Sequence, residues 1–109
     1  MKTEFETGKK SNLANLIDYA KEAIVSKTLI KKKTGTVTLF AFDQGQGLSE
    51  HTAPFDAMVQ IVDGEAIIII AKIKHKLTAG EFIIMPGNVP HAVEASDKVK
   101  MLLTMIKSN

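Results

Sequence analysis

The chain has 109 residues, 45% of them hydrophobic and 24% charged, which gives one domain with one core and excludes a disordered chain. Fourteen Lys and Arg against twelve Asp and Glu leave a net charge of +2, too weak a field to draw nucleic acid or an anionic membrane surface. Cysteine is absent, so disulfides, thiolate metal sites and cysteine nucleophiles are excluded together.

Residues 1–12 are polar and mixed in charge, with no apolar core of a secretion signal; with the lack of cysteine this makes the cytoplasm the expected location. Leu13, Leu16, Ile17 and Ala20 recur at spacings of three and four, which predicts two helical turns over 13–20. Residues 1–23 therefore read as an N-terminal arm or short helix, and 24–109 as the main domain. From Ile24 the period becomes two. A strand is predicted over 24–30, then a charged turn over 31–35 in which Lys31, Lys32 and Lys33 form a solvated tip. A second strand follows over 36–42, with Val37, Leu39 and Ala41 on one face.

Residues 43–49 read as a loop containing Gly45 and Gly47. The next strand, 57–62, ends at Asp63-Gly64, a pair that favours a tight hairpin turn, so 65–73 is predicted to return as the second hairpin strand. Its four isoleucines, residues 67–70, predict burial on both faces. The longest apolar run, 66–71, falls far short of the ~20 residues that span a membrane. Residues 74–77 lead to Ala79-Gly80. A strand over 81–85 stops at Pro86, and a loop over 86–90 is stiffened by Pro86 and Pro90. Strands at 91–95 and 100–107 complete an all-β pattern of a sandwich or barrel.

Two segments carry more than fold class. One runs through Gly45, His51 and Gly64; the other through Gly80, Pro86 and His91. Their spacing resembles the paired motifs of the cupin superfamily, over about residues 36–107. The resemblance implies a single-domain jelly-roll β-barrel of antiparallel strands, like the small microbial cupins. It also implies a metal centre of two histidines in His-x-His, a carboxylate, and a third histidine from a facing strand, an open N/O site for a divalent ion. This chain keeps His51 and His91 at two of those positions. It has Ala53 at the second histidine, Ala57 at the carboxylate, Asn88 at the glycine after Pro86, and Ala95 at the final asparagine. A divalent metal (Fe, Mn, Ni or Zn) held weakly by His51 and His91 is therefore the cofactor expectation. Asp56 and Gln60 have the wrong strand parity to substitute for the lost carboxylate without a bulge near Pro54.

The candidate ligand-binding set is His51, His91, Phe55, Met58, Met85 and Met101. Read plainly, His51 is a hydrogen-bonding residue at a barrel mouth, and His91, positioned behind Pro90, suits a donor or base near neutral pH. His75, between Lys74 and Lys76, reads as a solvated turn residue. The apolar candidates, with Phe40, Phe42 and Met105, either pack the core or line a ligand-sized pocket that Ala53 and Ala57 enlarge. Three functions remain open. One is a metal-dependent enzyme of dioxygenase, isomerase or decarboxylase type using His51 and His91. Another is a module binding a small organic molecule, with the two histidines at the polar end of the barrel pocket. The third is a structural barrel without chemistry. The binding module is the favoured reading, with no nucleic-acid or membrane partner. A surplus of apolar residues in 24–30 and 66–73 adds the expectation of a homodimer.

Overall fold

Period-two patterning is realised as eight antiparallel strands among residues 5–107, which are those described by the computed structural model. Met1–Glu4 of the expected arm and Ser108–Asn109 of the expected barrel lie outside the described residues. The strands are β1 (Ile24–Lys32), β2 (Gly35–Phe42), β3 (Gly47–His51) and β4 (Ala57–Ile70), then β5 (Ile73–Thr78), β6 (Phe82–Met85), β7 (His91–Glu94) and β8 (Val99–Ile106). They form two facing layers of a jelly-roll barrel. One layer has the order β1, β2, β8, the first half of β4, and β6. The other has β5, the second half of β4, β7 and β3. No helix among the described residues is long and apolar enough to cross a membrane.

The two layers share one strand. β4 is 14 residues long and does not turn at Asp63-Gly64, contrary to the expected hairpin. Its register against β8 slips between Ile61 and Asp63, so one extra residue bulges out and the strand bends into the second layer. The slip also reverses parity. Ala57, Val59 and Ile61 face the interior before the bend, and Ala66 and Ile68 face it afterwards, all of them buried. Gly64 makes the bend possible. Its φ is +83°, and a Cβ at that position would lie 1.8 Å from the Lys98 carbonyl oxygen. The true hairpin comes at Ala71 and Lys72, whose φ values of 51° and 71° form a tight turn between β4 and β5. The isoleucine run is buried on its inner face only: Ile68 is inaccessible, whereas Ile67 and Ile69 are half-buried on the outside.

The arm departs from expectation as well. Residues 13–20 form no α-helix; only Leu13–Asn15 make a 3-10 turn, with the Asn12 side chain accepting from the Ala14 N–H. Two turns are too short to hold a helix by themselves, so the apolar spacing serves packing instead. Ile17, with Leu16 and Tyr19, covers Leu39 and Ala41 on the outer face of β2. The Tyr19 hydroxyl donates to Asp63, and the Lys98 and Lys100 ammoniums lie 5.7 and 5.0 Å from the centre of its ring. Burial and the neighbouring Asp63 carboxylate together hold the Tyr19 hydroxyl far above its ordinary pKa. Ile30 and Ile73 remain at least half exposed on this single chain.

Two expectations follow. Gly64→Ala combines left-handed backbone strain with a backbone clash, so chemical denaturation should show a loss of about 3 kcal/mol or more, and an unchanged midpoint would contradict the account. Asp43 joins the arm to β1: its carboxylate accepts from the Glu22 and Gln44 N–H groups, which lowers its pKa. Because the folded value lies below the unfolded one, this stabilisation is present above a pH of about 4 and lost as pH falls through the folded value. Wild type should therefore exceed Asp43→Asn in thermal stability at neutral pH, with the gap closing in strong acid.

Candidate functional site

β3 and β7 pair so that Leu48 faces Val93 and His51 faces His91. Three steps along β3 thus match two along β7, and this bulge lets both Leu48 and His51 contribute to the interior. It also hid β3 inside a predicted loop, because the bulge breaks the alternation. The other side of His91 pairs with Ile70 at the end of β4, and Pro90 just before it accepts the Ala71 N–H at 2.9 Å.

The two imidazole centres are 4.5 Å apart, with their planes at 69°. His51 Nδ1 lies 2.7 Å from the Ser49 carbonyl oxygen, and His91 Nδ1 lies 3.1 Å from that of Val89. A carbonyl can only accept, so each Nδ1 donates and each neutral ring keeps its lone pair on Nε2. Neither Nε2 has a hydrogen-bond partner among the described residues. His91 is buried, whereas His51 is exposed at the mouth.

Beneath the rings is a cavity of about 50 Å³, whose walls include Ala53, Ala57, Met85, Met101 and Met105. In register across the sheet, Ala57 stands between Met85 on β6 and Met105 on β8, and Met105 in turn faces Thr36 on β2. Thr36 Oγ1 is buried with no partner among the described residues. The sequence left Met105 open between core and pocket, outside the candidate ligand-binding set. The period-two alternation of Met101, Leu103 and Met105 along β8 is the signal that places Met105 at the cavity.

Of the candidate ligand-binding residues, the structure brings His51, His91, Met85 and Met101 together. Phe55 and Met58 line a different groove of about 540 Å³ with Pro54, Asp56, Ile84 and Ile106. Met58 neighbours inward-facing Ala57 in a regular strand, so alternation turns it outward. His75 belongs to β5 rather than a turn, is half-buried, and does not line the histidine cavity.

The residues present do not fit a four-ligand divalent centre. Methyl groups occupy two of its positions, Ala53 and Ala57. Asp56 is engaged elsewhere, accepting the Gly87 N–H at 2.9 Å, and Glu50 pairs with Lys72 at 3.1 Å. No group of three or more His, Cys, Asp and Glu able to hold a metal ion occurs among the described residues.

A family model described as Cupin domain matches residues 38–107. Among solved structures, a conserved protein of unknown function from Streptococcus pyogenes is 32% identical at a TM-score of 0.91, covering 96% of this chain and 92% of that one. A cupin 2 conserved barrel domain protein from Leptotrichia buccalis is 39% identical at a TM-score of 0.86, covering 89% of this chain. This chain spans only 47% of that protein's length. A cupin superfamily protein from Desulfitobacterium hafniense is 25% identical at a TM-score of 0.89, covering 95% of each chain. The curated proteins contain no match.

The geometry of the walls gives a direct expectation. Ala53→His with Ala57→Glu should raise zinc or manganese affinity at least tenfold by titration calorimetry. The same pair should lower metal-free stability by about 1–3 kcal/mol, because polar groups enter an apolar cavity. Unchanged divalent affinity would show that these positions do not border the imidazole nitrogens.

Proposed function

This chain belongs to the cupin family, and from that premise we propose that its barrel is a binding module that takes a small organic molecule at its mouth, with His51 and His91 meeting the molecule's polar end. The observation that carries this reading is the pair of unpartnered Nε2 atoms on two adjacent histidines that line an otherwise apolar cavity. Two acceptors side by side complement a ligand that donates, such as a hydroxyl or an N–H group. The cavity of about 50 Å³ suits a head group of a few atoms, with the rest of the molecule in the mouth beside exposed His51.

Binding is favoured over turnover by what surrounds the imidazoles. Acid–base chemistry works through groups of complementary protonation within reach of one substrate. No carboxylate lines this cavity, and its walls beyond the two rings are aliphatic or thioether.

The test uses hydroxylated probes, phenol and short alcohols, followed by ligand-observed NMR. The double variant His51→Ala with His91→Ala should lose at least tenfold in phenol affinity. His51→Ala alone should change stability by less than about 0.5 kcal/mol, because an exposed rim residue contributes little to the core. Equal phenol binding by wild type and the folded double variant would reject the reading.

A further inference from the structure

We propose that the cavity beside the imidazoles is a site for one soft monovalent metal ion, copper(I), held by Nε2 of His51 and His91 together with the thioethers of Met85 and Met101, with Met105 completing the soft wall. This goes beyond the organic-ligand reading and does not rest on it.

Ligand softness carries the argument. The side chains in the cavity wall that carry heteroatoms are two imidazoles and three thioethers; the remaining side chains are hydrocarbon. Three of the five methionines of the chain are gathered there. Thioether sulfur and imidazole nitrogen favour copper(I), whereas magnesium, manganese and calcium want the carboxylate and water oxygens that this wall lacks. The family pattern places a carboxylate where this chain has Ala57. That alanine stands in register between Met85 and Met105, so a hard donor is replaced by a methyl group flanked by two soft ones.

Charge points the same way. Transferring an ion from water into an apolar cavity costs free energy that grows with the square of its charge, so a monovalent ion is far less penalised than a divalent one. Copper(I) also accepts two to four soft donors, so the absent third histidine and carboxylate are not needed. The imidazoles are already arranged as ligands. Each Nδ1–H is fixed on a backbone carbonyl, the outer contact that orients a metal-binding histidine and leaves Nε2 free. Methionine also fills ordinary cores, and substitution by leucine separates the two roles, since leucine keeps the approximate volume and removes the sulfur.

The decisive experiment titrates the untagged full chain with copper(I) under anaerobic conditions, in competition with the chromophoric chelator bicinchoninate. One equivalent should bind, and a tenfold excess of zinc(II) should not displace it. Met85→Leu and Met101→Leu should each weaken copper(I) binding at least tenfold, as should His51→Ala with His91→Ala. The leucine variants should keep the thermal midpoint of the metal-free protein within a few degrees. X-ray absorption of the wild-type complex should show both nitrogen and sulfur scatterers at bonding distance, a readout independent of whether any variant folds. Copper(I) affinity unchanged in the folded leucine variants, displacement by zinc(II), or a copper edge without sulfur neighbours would each overturn the proposal. Failure of phenol to bind leaves it intact, and loss of sulfur ligation leaves the organic-ligand reading intact.

Discussion

The barrel depends on one close approach, that of Gly64 to the Lys98–Val99 backbone. Only there can β4 leave one sheet and enter the other, because any Cβ would overlap the Lys98 carbonyl. The consequence reaches the site directly. The first residue of β4, Ala57, borders the cavity between Met85 and Met105, and its last residue, Ile70, pairs with His91. A straight 14-residue strand would hold these two ends roughly 40 Å apart. Bent at its middle, the strand returns both ends to the same mouth. The bend that closes the core thus also assembles the cavity beside the two histidines.

The same bend explains where sequence reasoning succeeded and where it stopped. Strands over 36–42 and 91–107 were legible because they bury alternate residues, such as Leu39 with Ala41, His91 with Val93 and Val99 with Met101. β1 was legible from composition instead, having no buried residue and a register shift between Thr28 and Ile30. Asp63-Gly64 was read as a hairpin because a positive-φ glycine after an aspartate serves a tight turn and a bulge equally well. What decides between them is the chain lying opposite, here Lys98–Val99, and no local pattern contains it. The actual hairpin carried no signal, since Ala71 and Lys72 take left-handed φ values without the glycine or asparagine that normally marks such a turn. In the arm, the apolar spacing marked a packing surface rather than a helix: Leu16 and Ile17 pack over Leu39 and Ala41, while Leu13 stays exposed.

At the site, legibility followed motif position rather than periodicity. His51 and His91 were found from spacing against a family pattern, and the structure sets their rings face to edge. Phe55 and Met58 were grouped with them as Phe and Met side chains expected to face into a small barrel, and strand alternation sends Met58 to the other side of the sheet. Met105 belongs with the histidines through a register that crosses from β4 to β8. Contacts between strands decide pocket membership, and a single sequence does not state the register of strands far apart along the chain. The family match begins at residue 38, inside β2, so β1 and the arm lie outside the portion that identifies the family.

The two histidines differ in a way that orders any binding event. His51 stands exposed at the mouth and His91 lies buried behind it, yet both keep the same backbone-anchored tautomer. An arriving occupant meets a solvated acceptor first and a desolvated one second. The outer contact is weakened by water, whereas the inner one operates where hydrogen bonds and coordinate bonds are stronger because little solvent competes. Replacing the family's charged carboxylate by Ala57 removes a desolvation penalty from this inner region, and the thioethers leave it polarisable but uncharged. The wall therefore offers soft sulfurs and hydrogen-bond acceptors but no carboxylate or ammonium group. That character follows from two methyl groups, three sulfurs and two fixed imidazoles, on a barrel otherwise closed in the manner of its family.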